Sequence, residues 1–365
     1  MKLNVGILFG GRSVEHDISI ITALQIYENI DKTKYNVIPL YLNENNEIYT
    51  GSKYFNLETY KKPIIDKPHI LTFYKDAYIL QSLTQKFKKR VKIDVIFNSV
   101  HGMGVEDGTT AGYLEFIGIP YTSPSILGSS ICQDKAYTKQ ILKDLNVKTL
   151  DCMIIKNEDK LNLINLTTNL TYPKIIKPAH LGSSIGIVVV HDQEELIKEL
   201  QKALVYDNKI IIEDYVENFK EYNIAVYKRK NKLITSSIEI IKKKNEILDF
   251  DEKYIGHHKE KIHQILKDEE LINQINEVVT KTYEHLELNG VVRFDFIHSD
   301  ELYLNEINTI PGALSNYLFK DKELSFSVLI DEQIKQALYI NNKQKRLIKT
   351  FKSSVLSNTN KIIKK

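Results

Sequence analysis

Three side chains toward the end of the chain have the types and spacing to hold a hard cation. Asp295 lies in the apolar stretch VVRFDFI, and Glu306 and Asn308 lie in ELYLNEIN, with the short turn HSDE between them. Side chains two apart on a strand share a face. Glu306 and Asn308 therefore project together, and hairpin pairing can bring Asp295 beside them. Two carboxylates and an amide oxygen suit Mg²⁺ with bound phosphates better than zinc. Arg293, two residues before Asp295, falls on the same face. The same residues also read as the solvated outer face of an edge hairpin. The Thr-Ile-Pro-Gly that follows makes a rigid turn at the strand end and favours a built site.

Three further segments carry polar groups at strand ends. In PKIIKPAHLGSSIGI, Lys174 and Lys177 flank a short apolar strand, and a Gly-Ser-Ser-x-Gly loop follows that can lay N–H groups and hydroxyls around phosphate oxygens. It is not the GxxxxGK[ST] loop, because the lysine precedes the glycines, and it also reads as a plain hairpin connection. In KIIIEDYVENFKEYNIAV, an apolar strand runs into Glu213, Asp214, Tyr215 and Val216, with Glu221 beyond. Such a hinge can offer backbone groups to an adenine edge and a carboxylate to ribose, or be a charged turn. In GGRSVEHDIS, Glu15 falls between a glycine turn and a helix, either pointing into the ligand crevice of an α/β sheet or acting as a helix-start carboxylate.

The elements that position these groups follow from periodicity. LNVGILF (3–9), ending at Gly-Gly, reads as a strand rather than a signal peptide. A helix over 17–30 places Ile21, Leu24 and Ile30 at helical spacing, and strand, glycine turn and helix open an α/β unit. Strands are expected at 36–41 and 93–97, and in GIPYTS, with a first domain ending near residue 123. A helix from 134 carries Tyr137, Ile141 and Leu145 on one face. MIIK, PKIIKP, IGIVVV and KIIIEDYV read as strands, with a helix over 192–204 before the last. Residues 220–240 alternate as strands, DEELINQINEVVTKTYEHLE is an amphipathic helix, and a last helix spans about 325–339.

The 365 residues are 42% hydrophobic and 27% charged, which excludes disorder and a disulfide scaffold. No apolar run approaches the roughly 18 residues of a membrane span. The two cysteines, Cys132 and Cys152, form no CxxC and fit a reducing cytosol. Of the net charge of +3, residues 341–365 contribute +8, so the remainder sums to −5. No basic surface for nucleic acid is implied, and the basic tail reads as a solvated extension.

Taken together, FGGRSVEHDIS, HGMGVEDGTTAGYLEFIGIPYT, DKAYTK, KPAHLGSSIGI, EKY and RFDFI…LYLNEINTIPG occur in an order that resembles the D-alanine–D-alanine ligases of the ATP-grasp superfamily, over most of residues 3–340. The resemblance implies an α/β (α+β overall) chain. An N-terminal doubly wound, Rossmann-like pre-ATP-grasp substrate domain (1–123) precedes a central lobe (124–216) and a C-terminal catalytic lobe (217–340), with the basic tail at 341–365. It implies a bacterial cytoplasmic enzyme, and most often a homodimer. Its substrates would be ATP and D-alanine, with Mg²⁺ or Mn²⁺, two ions, as cofactor. ATP phosphorylates one D-alanine, and the amine of a second attacks the acyl phosphate, giving a dipeptide for peptidoglycan.

The resemblance also implies roles. Lys135 and Lys177 hold ATP phosphates, with Lys253 reaching the γ-phosphate. Glu213, Val216 and Glu221 take the hinge and ribose positions, Glu221 one residue further along than usual. Asn305 and Glu306 complete the nucleotide site, and Asp295, Glu306 and Asn308 bind metal. Glu15 binds the first substrate's ammonium, His101 lies beside that substrate, and Ser183 and Tyr254 link to Glu15. Arg293 and the Gly312 backbone stabilise the oxyanion. Two departures stand out. Tyr317 falls where the family keeps a serine for the second substrate's carboxylate, and Val105 replaces a common glycine. Segment 255–270 also lacks the family's usual Pro-Ala step. Two alternatives therefore stand beside the dipeptide ligase. One is a sister ligase joining a D-amino acid to another amine or hydroxy acid, with Tyr254 favouring an amine. The other is a non-catalytic nucleotide sensor, opposed by the intact metal and lysine positions.

Overall fold

The computed structural model describes residues 2–61, 66–75, 77–83, 90–241, 264–351 and 353. Strand β1 (Leu3–Gly10) is apolar because it is central. Val5, Ile7, Leu8 and Phe9 are buried between β2 (Tyr35–Leu42) and β7 (Val95–Asn98), both paired parallel to it. Helix α1 (His16–Asn29) follows β1 after the glycine turn. Beyond β2 the sheet continues antiparallel through β3 (Ile48–Tyr49), β4 (His69–Tyr74), β5 (Ala77–Ser82) and β6 (Arg90–Ile93), giving the order β6-β5-β4-β3-β2-β1-β7. Helix α2 (Thr109–Ile117) begins and ends at glycines in the left-handed conformation.

Helices α3 (Ile126–Gln133) and α4 (Lys135–Asp144) lead into a four-stranded antiparallel sheet ordered β10-β9-β11-β8. Its strands are β8 (Cys152–Lys156), β9 (Lys174–Pro178), β10 (Val188–Val190) and β11 (Lys209–Asp214), and it packs directly against α6 (Gln193–Tyr206), which the short α5 (Leu163–Thr167) also contacts. The third sheet, also antiparallel, runs β15-β14-β12-β16-β17, with β13 (Lys232–Thr235) paired to β12 (Lys220–Arg229). It includes β14 (Glu239–Ile241), β15 (Gln264–Ile265), β16 (Val292–His298) and β17 (Leu302–Asn308). The amphipathic helix Glu269–His285 buries Leu271, Ile275, Val279 and Tyr283, which share a core with the apolar side chains of β16. The C-terminal helix Phe326–Gln344 packs back on the first sheet's core.

Three expectations need correction. GIPYTS forms no strand, and Tyr121 makes a single bridge to Ile96. In α1 the buried face is Ile18, Ile20, Ala23 and Ile26, while Ile21 is 45% exposed. In α4 Tyr137 is 55% exposed, whereas Ala136, Lys139 and Leu142 are buried. Hydrophobic spacing misjudged this helix because the residue it buries is a lysine whose charge is met inside the protein.

Candidate active site

The β16–β17 register places the C-terminal cluster as the strand period requires. Asp295 pairs with Glu306 and Arg293 with Asn308, so all four stand on one face of the ribbon. Arg293 binds Asp295 through two parallel bonds, Nε to Oδ1 at 2.7 Å and Nη2 to Oδ2 at 2.8 Å. Asn308 Nδ2 donates to Asp295 Oδ2 at 3.0 Å. Asn223, directly opposite Asp295 on β12, donates at 3.1 Å to Oδ1 when its amide nitrogen is turned toward it. Glu306 Oε1 takes an ion pair from Lys135 Nζ at 2.9 Å.

This face borders a cleft of about 550 Å³, part of it open solvent, lined by Glu15, His101, Lys135, Arg293, Glu306, Asn308 and Gly312. Seven residues expected to share a site from stretches nearly 300 positions apart therefore do meet. Glu15 holds the N-cap position of α1 but makes no capping bond with its side chain. It accepts instead from Ser183 Oγ, in the loop after β9. Close packing there needs small residues, since a Cβ on Gly182 would come within 2.9 Å of Glu15 Oε2. His101 is buried and bonded through Nε2 to Thr22 Oγ1 at 3.0 Å, and burial lowers its pKa to about 4, so the ring is neutral.

Lys177 forms a second group behind the cleft. Its Nζ lies 2.7 Å from Glu213 Oε2 and 3.2 Å from Asn305 Oδ1, joining the second sheet to β17. Lys139 Nζ lies 2.7 Å from the other carboxylate oxygen of Glu213 and 3.0 Å from the Leu150 carbonyl, which accounts for its burial. Val216 lies where the chain passes from β11 to β12, between two sheets, and Glu221 is the second residue of β12, paired with Ile241 and Ile297. Tyr317 is not among the cleft's lining residues and donates to Glu239 Oε2 at 3.1 Å. Lys253, Tyr254 and most of segment 255–270 lie outside the described residues.

Glu106 was not anticipated. Its carboxylate accepts from Gly102 N (2.9 Å), Thr309 Oγ1 (2.8 Å) and Ile310 N (2.8 Å), tying the glycine-rich loop of the first domain to the turn after β17. Burial, and then the nearby Glu15, raise its pKa to about 7. The local sequence HGMGVEDG does not mark this glutamate as buried, and the one available signal is its position five residues after His101. Val105 of that loop is buried against Gly11, where a Cβ would meet Val105 Cγ1 at 2.6 Å.

Among the described residues, no three His, Cys, Asp or Glu side chains are grouped to hold a metal ion. The cluster present is two carboxylates and an amide, oxygen donors of the kind Mg²⁺ takes.

Family models match on both sides of the cleft. The model described as D-ala D-ala ligase N-terminus covers residues 4–124, and the one described as D-ala D-ala ligase C-terminus covers residues 141–335. A protein of Thermosipho melanesiensis named D-alanine–D-alanine ligase is 40% identical over 342 residues, 92% of this chain and 94% of its own. The crystal structure of D-alanine–D-alanine ligase from Helicobacter pylori is similar with a TM-score of 0.73 at 33% identity, covering 90% of this chain and 98% of that one. The VanG D-Ala:D-Ser ligase of Enterococcus faecalis gives a TM-score of 0.77 at 26% identity, over 92% of this chain and all of that one.

The Glu213 site generates a stability prediction. Burial works to raise the Glu213 pKa, but Lys177 and Lys139 outweigh it and hold the carboxyl below its ordinary 4.5. A depressed folded-state pKa gives stability that is present above pH 4.5 and drains away as pH falls. Glu213→Gln should cost about 3–5 kcal/mol at pH 7 by leaving two buried lysines short of a counter-charge. It should also flatten the acid limb of stability. Urea unfolding from pH 7 to 3 measures both, and an unchanged acid limb would contradict the assignment.

Proposed function

This chain belongs to the D-alanine–D-alanine ligase family, and from that premise we propose that it condenses two D-alanines in this cleft while ATP becomes ADP and phosphate, supplying a dipeptide for peptidoglycan precursors in the bacterial cytosol. The observation that carries the reading is the meeting of Lys135 and Glu306 beside the Glu15–Ser183 pair, because it sets a phosphate-binding cation next to an ammonium-binding carboxylate.

The chemistry explains the cast. A carboxylate is a poor electrophile because it has no good leaving group. Its oxygen attacks the γ-phosphorus of ATP, the bond to ADP breaks, and the acyl phosphate gains a phosphate leaving group. The second amine attacks the carbonyl carbon, loses a proton, and the tetrahedral oxyanion collapses with release of phosphate. Phosphoryl transfer of this kind needs alignment and charge neutralisation more than covalent help. Lys135 and Lys177 hold phosphate oxygens, and Glu213 and Asn305 aim Lys177. Glu15, oriented by Ser183, holds the first ammonium, and neutral His101 lies beside it without adding charge. Arg293, permanently charged, and the Gly312 backbone face the oxyanion. Mg²⁺ or Mn²⁺, two ions on the family pattern, would be held by Asp295, Glu306 and Asn308 and supplies further neutralisation at the transferring phosphoryl group. Val216, in the connection between sheets, and Glu221, at the start of β12, serve adenine and ribose. Lys253 and Tyr254 keep the γ-phosphate and Glu15-linked roles that the resemblance implies.

A second reading is a ligase for a different second amine or hydroxy acid. Tyr317 favours it, since a phenol bonded to Glu239 stands where a serine is expected. One structurally similar relative, moreover, is a D-Ala:D-Ser ligase. The N-terminal domain carries Tyr113 and Phe116 on α2, 40% and 89% exposed, as an apolar face for the expected homodimer.

Incubation with ATP, Mg²⁺ and D-alanine should yield D-Ala-D-Ala and equimolar ADP. Glu306→Gln should keep the fold and lose turnover by about two orders of magnitude or more, as a charged ligand at the transferring phosphate disappears. Unchanged turnover in that variant would refute the metal assignment. Mixed products with D-serine or D-lactate, and no D-Ala-D-Ala, would establish the second reading. Tyr317→Ser should change the KM of the second substrate while leaving that of ATP within about twofold, a difference below 0.5 kcal/mol. An effect confined to ATP would misplace Tyr317. Sedimentation should give twice the mass of one chain, and the mass of a single chain would remove the dimer.

A further inference from the structure

His180 stands at the foot of the Gly-Ser loop, between two carboxylates from different elements. Its Nδ1 lies 2.8 Å from Asp207 Oδ1, at the α6–β11 corner, and its Nε2 lies 3.1 Å from Asp134 Oδ2, which caps α4. Both ring nitrogens face acceptors, so both bonds form only when both nitrogens carry protons. The neighbouring charged groups close the set. Lys209 Nζ binds the same Asp134 oxygen and lies 4.3 Å above the Tyr137 ring, and Asp207 Oδ2 accepts from the His180 backbone N–H at 2.8 Å. Two carboxylates thus meet one ammonium and one imidazolium. Neither aspartate is exposed, with side chains 7% and 1% accessible.

What this cluster joins gives it a role. Asp134 immediately precedes Lys135, and its Oδ1 holds the first turn of α4 through Ala136 N at 3.0 Å and Tyr137 N at 3.2 Å. Lys135 is tied to the 179–181 segment twice, by its backbone N to Ala179 O (3.0 Å) and by Nζ to Leu181 O (2.7 Å). Two residues beyond His180 the chain turns through Gly182, Ser183 (φ 55°) and Ser184 (φ 60°), where Ser183 reaches Glu15.

We propose that His180 is a positioning residue that, as a charged bridge between Asp134 and Asp207, fixes the start of α4 against the Gly-Ser loop and so sets the spacing of Lys135 from Ser183 for ATP binding. The proposal rests on the reading of Lys135 as a phosphate-binding lysine. The hydrogen bonds to Asp134 and Asp207 raise the pKa of the ring from 6.5 to about 9. A raised folded-state value gives stability that is complete below pH 6.5 and is lost as pH rises through about 9, so the bridge is intact at neutral pH and dissolves in alkali.

The experiment has two arms on the full chain. In the wild type labelled at histidine Cε1, the His180 resonance, identified by its loss in His180→Gln, should titrate near pH 9. A midpoint near 6.5 would overturn the bridge. In the second arm, His180→Gln should raise the KM for ATP about tenfold at pH 7.5 with kcat within about twofold, the size of one lost charge-assisted contact. His180→Lys should recover part of that loss. The ratio of variant to wild-type KM should shrink as pH passes 9, because the wild type then loses its own bridge. A purely structural role would lower the melting temperature without moving KM, and an unchanged KM overturns the proposal. If the variant does not fold, the wild type decides, since its KM for ATP must rise with the same midpoint as the ring. Failure of the wild type to form ADP with D-alanine would defeat the ligase reading instead, while the ring titration still reports on the bridge.

Discussion

Carboxylates crowded into one partly buried cleft repel one another, and the structure of this site is largely the set of donors that makes the crowding tolerable. Ser183 meets Glu15, Lys135 meets Glu306, Arg293 meets Asp295, and three donors surround Glu106. These donors come from all three sheets or their connections, so the pairing also fixes how the parts of the molecule meet. Burial, and then the nearby Glu15, raise the pKa of Glu106 to about 7, so the crowding is felt at that carboxyl even with its three donors in place.

A second layer keeps the first in place. Lys177 would be a poor fixed charge on a four-carbon stem alone, but Glu213 and Asn305 hold its ammonium from two directions. Glu213 can be fully buried only because Lys139 meets its other oxygen. Burying a charge is expensive unless it is paired, and here one carboxylate between two lysines spans α4, β9 and β11. Strand β11, Lys177 and the helix that begins at Lys135 are thus coupled by a single residue.

Much of this was legible in the sequence wherever a strict period governed. The two-residue alternation in VVRFDFI and ELYLNEIN dictates that Arg293, Asp295, Glu306 and Asn308 share a face, and they do. β1 was readable for a related reason, since an unbroken apolar run is what a strand buried on both faces requires. Legibility failed where a distant charge decided burial. The stripe Tyr137–Ile141–Leu145 looked like the inner face because the partner that lets Lys139 be buried lies 74 positions away. Glu106 and His180 each sit in a glycine-containing loop, where local sequence carries no record of the three or four groups that converge on them. The family resemblance supplied what spacing could not, namely that Glu15 meets the loop after β9.

The turn after β17 shows how far such convergence reaches. Ala313, Leu314 and Ser315 follow one another with φ of 47°, 52° and 46°, left-handed conformations that side-chain-bearing residues rarely adopt and that cost of order 1–3 kcal/mol each. A strained run of this kind persists only when its surroundings over-determine it. Here Ala313 N donates to Thr22 Oγ1, the same oxygen that bonds His101, and Ile310 N and Thr309 donate to Glu106. Both anchors belong to the N-terminal domain. The backbone at Gly312, which faces the cleft, therefore takes its shape from α1 and the loop at 101–108 as much as from its own strand. The third sheet separated from the first would keep the β16–β17 hairpin, whose register is internal, but would lose what holds the turn beyond it. The N-terminal residues thus do more than bring Glu15 to the cleft, for they also hold the backbone around Gly312, beside the strand that carries Arg293.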